Sequence, residues 1–301
     1  MNRKQIMIAC LLLAGCSAGK DEAFFPYGEQ VPVNIETFLN TDIIQTRANV
    51  SSGSIGVFLG SANGYKPQYN VQYSYSGGWK ASAPVYVGVP NATLSAYYPY
   101  NAATFSANST TCTLTAQKYE AAKDLCYATT GGAAVCNKTP NATFAMTRAY
   151  VRLKLSIKRH ATNYVGNCNI TNVNIKHSTG NNFFVSRTLD INTGTYGGSA
   201  TTNGWTYALN TGNMAGNVTN TAYDVLVPPQ PVSGGLTITL TIDGVNRAVT
   251  VPAAQFSSNL TAGQQYTISL IITDVEIVLS ASAVTVNDWG SVSNQDTDAK
   301  F

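Results

Sequence analysis

Charge is scarce in this 301-residue chain: 11% of its residues are Asp, Glu, Lys or Arg, against about 25% in an ordinary soluble domain. The formal net charge is +3, and Arg3 and Lys4 supply two of those positive charges. Basic residues in the body are scattered, with Lys158-Arg159 the one notable pair, so no nucleic-acid footprint is present. Histidine is nearly missing, with His160 and His177 alone, and no Cys-x-x-Cys spacing occurs. A zinc site therefore has no ligand set, and neither a metal nor a cofactor is expected. There is no Gly-x-Ser-x-Gly elbow, no His-Glu-x-x-His and no phosphate loop. The acidic residues are dispersed, which disfavours paired-carboxylate hydrolysis of glycans. The expectation is a protein that is not an enzyme. No stretch approaches the roughly 20 apolar residues of a spanning helix, and helical periodicity is almost absent.

What the chain does have is period two. In Tyr150 to Ile157, Val151, Leu153, Leu155 and Ile157 share one face while Arg152, Lys154 and Ser156 share the other, the pattern of a half-buried antiparallel strand. Leu236, Ile238, Leu240 and Ile242 alternate with Thr237, Thr239 and Thr241, and Asp243-Gly244 follows as a turn. Ile268, Leu270 and Ile272 lead into a long β-prone segment that runs to Val286. One stretch, Ala116 to Leu125, is compatible with a single short helix or turn. Residues 192–221 are rich in Gly, Thr and Asn and are expected to form long loops around one strand at Trp205 to Leu209. With 44% hydrophobic residues the chain can bury a sizeable core. The pattern predicts an all-β protein with little helix, built as two tandem antiparallel β-sandwich domains over 31–163 and 164–301, divided near 159–168.

The amino-terminal segment has its own logic. Arg3-Lys4 precedes an apolar run from Ile6 to Ala14, and Leu13-Ala14-Gly15-Cys16 follows. That is the layout of a bacterial lipoprotein signal peptide over residues 1–15, with Cys16 as the acylated residue. Two or three acyl chains anchor durably. Ser17 stands where an inner-membrane retention signal carries aspartate, so an outer-membrane lipoprotein precursor is expected. Residues 16–30 are polar and read as a tether. Beyond Cys10 and Cys16, the cysteines are Cys112, Cys126, Cys136 and Cys168. An even remainder in an oxidising compartment predicts disulfides. Three pairings are open, and Cys126 with Cys136 would close a short loop around Gly131-Gly132.

Several patterns in order resemble the fimbrillin family, the lipoprotein precursors of type V pili. Thr46-Arg47-Ala48, then Ser54-Ile55-Gly56-Val57-Phe58, resembles the family's early strand region. Trp79 to Val87 and Ala96-Tyr97-Tyr98-Pro99-Tyr100 are similar to its tryptophan strand and its tyrosine-rich segment. Asp124-Leu125-Cys126-Tyr127-Ala128, Val225-Leu226-Val227-Pro228-Pro229-Gln230, Ala262-Gly263-Gln264-Gln265-Tyr266 and Val286-Asn287-Asp288-Trp289 resemble later elements of the same family. The resemblance implies transthyretin-like, Greek-key sandwiches and a structural or adhesive pilus subunit at the cell surface. It also implies cleavage by an arginine-specific protease between Arg47 and Ala48. That cut would release a first strand, 31–46, with Val33, Ile35, Phe38, Ile43 and Ile44 as its groove-filling residues. A neighbouring subunit would then donate its segment 275–289, inserting Ile277, Leu279, Ala281, Val284 and Val286. The implied partners are other pilus subunits, the protease, the outer membrane through lipid, and a host glycan or protein. The competing expectation is a monomeric surface lipoprotein that binds glycan or another host ligand, for which Tyr65, Tyr69, Tyr73 and Tyr75 are the most suggestive cluster.

Overall fold

A computed structural model describes residues 28–39, 48–130, 134–179 and 183–289. The expectations placed on Cys16, Ile43, Ile44 and Arg47 lie outside those residues. The fold is all-β. Helical turns among the described residues are the short 3-10 segments Ala62–Gly64, Ala121–Lys123 and Ala253–Phe256. The helix-compatible stretch thus supplies one such turn, beside a two-residue strand, Gln117–Lys118.

Alternating apolar residues place the strands. One sheet has eight, in the order Ala48–Asn49, Asn34–Leu39, Asn141–Arg148, Cys126–Thr129, Leu94–Tyr98, Ser54–Leu59, Gln68–Tyr75 and Trp79–Lys80. A second has five: Gln117–Lys118, Thr219–Val227, Val151–Arg159, Gln264–Ile272 and Ile277–Asp288. A four-stranded sheet runs Trp205–Ala208, Ile170–His177, Leu236–Ile242, Val245–Val251, and a three-stranded one Thr195–Thr202, Phe183–Asp190, Thr111–Thr115. Side chains from the five-stranded and four-stranded sheets meet in one core, where Val151, Leu153, Leu155 and Ile157 join Val173, Ile175, Ile238 and Leu240. A second core belongs to the eight-stranded sheet, with Val33, Ile35, Leu39, Val57, Phe144 and Met146.

Three details add to the sequence reading. Pairing is not wholly antiparallel: Asn34–Leu39 runs parallel to Asn141–Met146, and Val151–Arg159 is flanked by Thr219–Val227 antiparallel and Gln264–Ile272 parallel. Segments within 31–163 also pair with strands far downstream. Thr111–Thr115 bonds to Ser186–Asp190 and Gln117–Lys118 to Val225 and Leu226, while Phe58, Tyr97, Leu114, Tyr150, Leu189 and Leu226 form a third core. Finally, part of the segment read as loop, Thr195–Thr202, is a strand paired with Phe183–Asp190. Its sequence, with Gly197-Gly198 at its centre, carries no apolar alternation to reveal it.

The hairpin at Asp243-Gly244 forms as its sequence predicts. Ile242 and Val245 face one another, and the two central residues have φ of 48° and 83°, the left-handed pair that suits a two-residue hairpin.

Candidate functional site

The first strand, Asn34–Leu39, lies between a two-residue edge strand and Asn141–Arg148. Its alternation is Val33, Ile35, Thr37 and Leu39 inward. Backbone bonds extend the seam: Val33 N–H donates to Val85 O at 2.9 Å and Asn34 N–H to Pro140 O at 2.8 Å. Val33 and Ile35 therefore point into the core. Phe38 does not. It falls on the opposite parity and is half-buried, because a strand's inward set must keep period two. The inward place beside it belongs to Thr37, whose hydroxyl donates to Val50 O at 3.1 Å and accepts from Trp79 Nε1 at 3.1 Å. A polar residue inside this groove is thus fully bonded.

The carboxy-terminal strand, Ile277–Asp288, is the outermost of the five-stranded sheet and pairs antiparallel with Gln264–Ile272. Ile277 is buried, while Leu279 and Val284 pack partly buried against the core. Leu279 faces Leu270, Val284 faces Ile268 and Val286 faces Tyr266, with a register shift between. That irregularity lets residues of odd and even number, 277, 279, 284 and 286, occupy one face. Val286 itself is 44% exposed. Ala281 belongs to the same strand.

The expected disulfides are not formed. Cys112, Cys126, Cys136 and Cys168 are free thiols. The reason is location: Cys168 sits in the core of the five- and four-stranded sheets, Cys126 in that of the eight-stranded sheet, Cys112 in the third. Cys136 lies in a surface turn, its Sγ 3.4 Å from Thr139 Oγ1. Burial pushes the Cys112 and Cys126 thiols up to about 12 and Cys168 to about 11. Cys136 is instead held below the usual thiol range by the Thr139 hydroxyl and by the backbone N–H groups of Lys138 and Thr139.

The tyrosine cluster divides. Tyr65 and Tyr73 are core residues whose hydroxyls serve the backbone: Tyr65 Oη donates to Pro90 O at 2.6 Å, and Val85 N–H donates to Tyr73 Oη at 2.7 Å. Tyr69 and Tyr75 are each 37% exposed, and Tyr75 stands edge-on to Trp79 at 5.3 Å. Only two of the four rings present surface to a sugar. Among the described residues no group of three or more His, Cys, Asp or Glu could hold a metal, and no helix is long and apolar enough to cross a membrane.

No curated protein sequence matches the chain. Solved structures do. A candidate cell adhesion protein from Bacteroides uniformis superposes with a TM-score of 0.61 at 20% identity, covering 86% of this chain and 99% of that one. A second, from Bacteroides ovatus, gives 0.60 at 17%, covering 87% and 98%. A fimbrial protein from Bacteroides vulgatus gives 0.51 at 9%, covering 86% and 99%. At these identities the likeness is one of fold. The family model described as fimbrillin-like matches residues 46–289, and the chain belongs to that fimbrillin-like family.

Proposed function

We propose that this chain is a fimbrial subunit delivered to the outer membrane by lipid on Cys16 and kept monomeric by its own first strand. Cleavage after Arg47 by an arginine-specific protease frees that strand together with the anchor. The carboxy-terminal strand of a second copy then fills the vacated lane, and repetition head to tail builds a filament, because such contacts do not close on themselves.

The observation that carries the reading is the position of Asn34–Leu39. It pairs over six residues with Asn141–Met146 and, together with Val33 just before it, contributes Ile35 and Leu39 to a core. Each of those side chains is worth roughly 1.5 to 3 kcal/mol of burial. Its departure would leave one long edge of Asn141–Arg148 unpaired above Ala142, Phe144 and Met146, all fully buried. Exposed edges of that kind invite strand addition. The chain's own carboxy-terminal strand is suited to supply it, being held among the described strands by Gln264–Ile272 alone. A structural and adhesive role needs no catalytic group, which agrees with the family.

The test is direct. Secreted precursor treated with an arginine-specific protease should yield a new amino terminus at Ala48 and, by electron microscopy, filaments. Arg47→Ala should block both. If Arg47→Ala assembles as well as the parent chain, the reading is wrong. Metabolic labelling with palmitate, lost in Cys16→Ser, checks the anchor.

A further inference from the structure

Trp289, just beyond the carboxy-terminal strand, has a made-to-measure seat. The Arg148 guanidinium lies over its ring, 4.3 Å from the centroid, and Arg148 Nε donates to Trp289 O at 2.9 Å. Tyr119 stands edge-on to the indole at 5.8 Å. Arg152 stacks on Tyr119 at 3.7 Å and lies 5.7 Å from the indole. Trp289 N–H donates to Gly263 O at 2.8 Å.

This seat is rigid by other means. Arg148 is ion-paired with Asp124, a carboxylate 2% exposed. Arg152 grips Asp224 with both arms of its fork, Nε to Oδ1 at 2.9 Å and Nη2 to Oδ2 at 2.6 Å. The two guanidiniums are therefore held in place by buried or half-buried carboxylates, the Tyr119 ring lies against Arg152, and the indole completes the stack. Cation–π contacts strengthen when desolvated in this way.

At that end the strand is held by its ladder to residues 264–266 and by a hydrogen bond from Gln264 Nε2 to the Asp288 carboxylate. Among the described strands it pairs with Gln264–Ile272 alone, its register shifts opposite Ile268 and Leu270, and Val286 is 44% exposed. Arg148, meanwhile, ends the strand whose residues 141–146 pair with the first strand. The indole thus ties the end of Ile277–Asp288 to the strand that borders Asn34–Leu39.

We propose that Arg148, Arg152 and Tyr119 form an indole socket in which Trp289 locks the end of the carboxy-terminal strand in place, so that the strand leaves only when the socket opens. This rests on the reading of that strand as the assembling element. It assigns that element a retaining contact which the strand ladder alone does not supply.

Hydrogen exchange on the full secreted chain tests it, comparing the parent with Trp289→Ala, Trp289→Phe and Val286→Ala. Trp289→Ala should speed exchange over 277–288 about tenfold, the factor for losing one desolvated contact of this size, while Leu236–Ile242 keeps its parent rate. Trp289→Phe should fall between, and Val286→Ala should stay near the parent. If Trp289→Ala also loosens Leu236–Ile242, an intermediate rate confined to 277–288 in Trp289→Phe decides in favour. Parent-like exchange over 277–288 in Trp289→Ala overturns the lock. Faster exchange, with no filaments from protease-treated parent, upholds the lock and sinks the assembly reading alone.

Discussion

The indole N–H of Trp79 donates to the hydroxyl of Thr37 across 3.1 Å, linking the edge strand Trp79–Lys80 of the eight-stranded sheet to the strand Asn34–Leu39. Thr37 is 5% exposed and also donates to Val50 O. Valine has the same shape without the oxygen, so Thr37→Val strands a half-buried donor, Trp79 Nε1, and a buried acceptor, Val50 O, together. The expected loss is about 1 to 3 kcal/mol, seen in urea as a lower midpoint with an unchanged m-value. Thr37→Ser should keep most of the stability. A Thr37→Val midpoint equal to the parent's would show that the hydroxyl bonds carry no net weight.

The same pair shows what the sequence could and could not reveal. Val33 and Ile35 are legible as inward residues because their alternation is local. Thr37 looks wrong for a core and Phe38 looks right, yet the partner that makes Thr37 acceptable lies 42 residues away. Long-range satisfaction of a polar group has no local signature. In the last strand the odd-to-even change between Leu279 and Val284 was readable as a list of apolar residues, and the register shift explains it. Counting cysteines misled because an even number says nothing about distance, and three of the four are sealed in separate cores. The crossover strands Thr111–Thr115 and Gln117–Lys118 are too short to announce which sheet they join.

His177 gives the stability a pH dependence. Its Nε2 lies 3.2 Å from Gln230 Oε1, which also accepts Phe184 N–H at 2.8 Å. Burial holds the imidazole below its ordinary value, outweighing the opposing pull of Gln230. The unfolded chain therefore takes up a proton near pH 6.5 that the folded chain still refuses. Stability present above pH 6.5 should decline as pH falls through that value towards the lower folded one. Melting temperatures measured at pH 7.5 and 5.5 should differ less in His177→Gln than in the parent. An identical drop in both would remove His177 as the cause.

Thiol chemistry separates Cys136 from the rest. Cys112, Cys126 and Cys168 are buried and their thiols raised, whereas Cys136 is at the surface with its thiol lowered. Since the thiolate is the reacting species, Ellman's reagent at pH 8 should label Cys136 rapidly in a chain lacking residues 1–16. Cys136→Ala should leave almost no fast phase, and unfolding in guanidinium should expose the remaining three. A fast phase that survives Cys136→Ala would contradict the placement of the others.

Gly56 is required for space rather than for backbone freedom. It sits opposite Tyr97 in the ladder, and a Cβ added there would run into the Tyr97 ring and approach Asn70 Oδ1 to 2.6 Å. The ring cannot retreat: Tyr97 is fully buried, its centroid is 4.7 Å from that of Phe105, and its hydroxyl lies 2.8 Å from Asn70 Oδ1. Gly56→Ala should therefore cost about 1 to 3 kcal/mol, as overpacking does. In a Tyr97→Ala background the obstacle is gone, and Asn70 no longer has a phenol to hold it. There the same change should be neutral or stabilise by about 0.5 to 1 kcal/mol, the ordinary advantage of alanine over glycine within a strand. A double-mutant cycle by urea denaturation reads this reversal of sign as coupling between the two positions. Equal costs in both backgrounds would mean that the close approach of strand to ring does not explain the glycine.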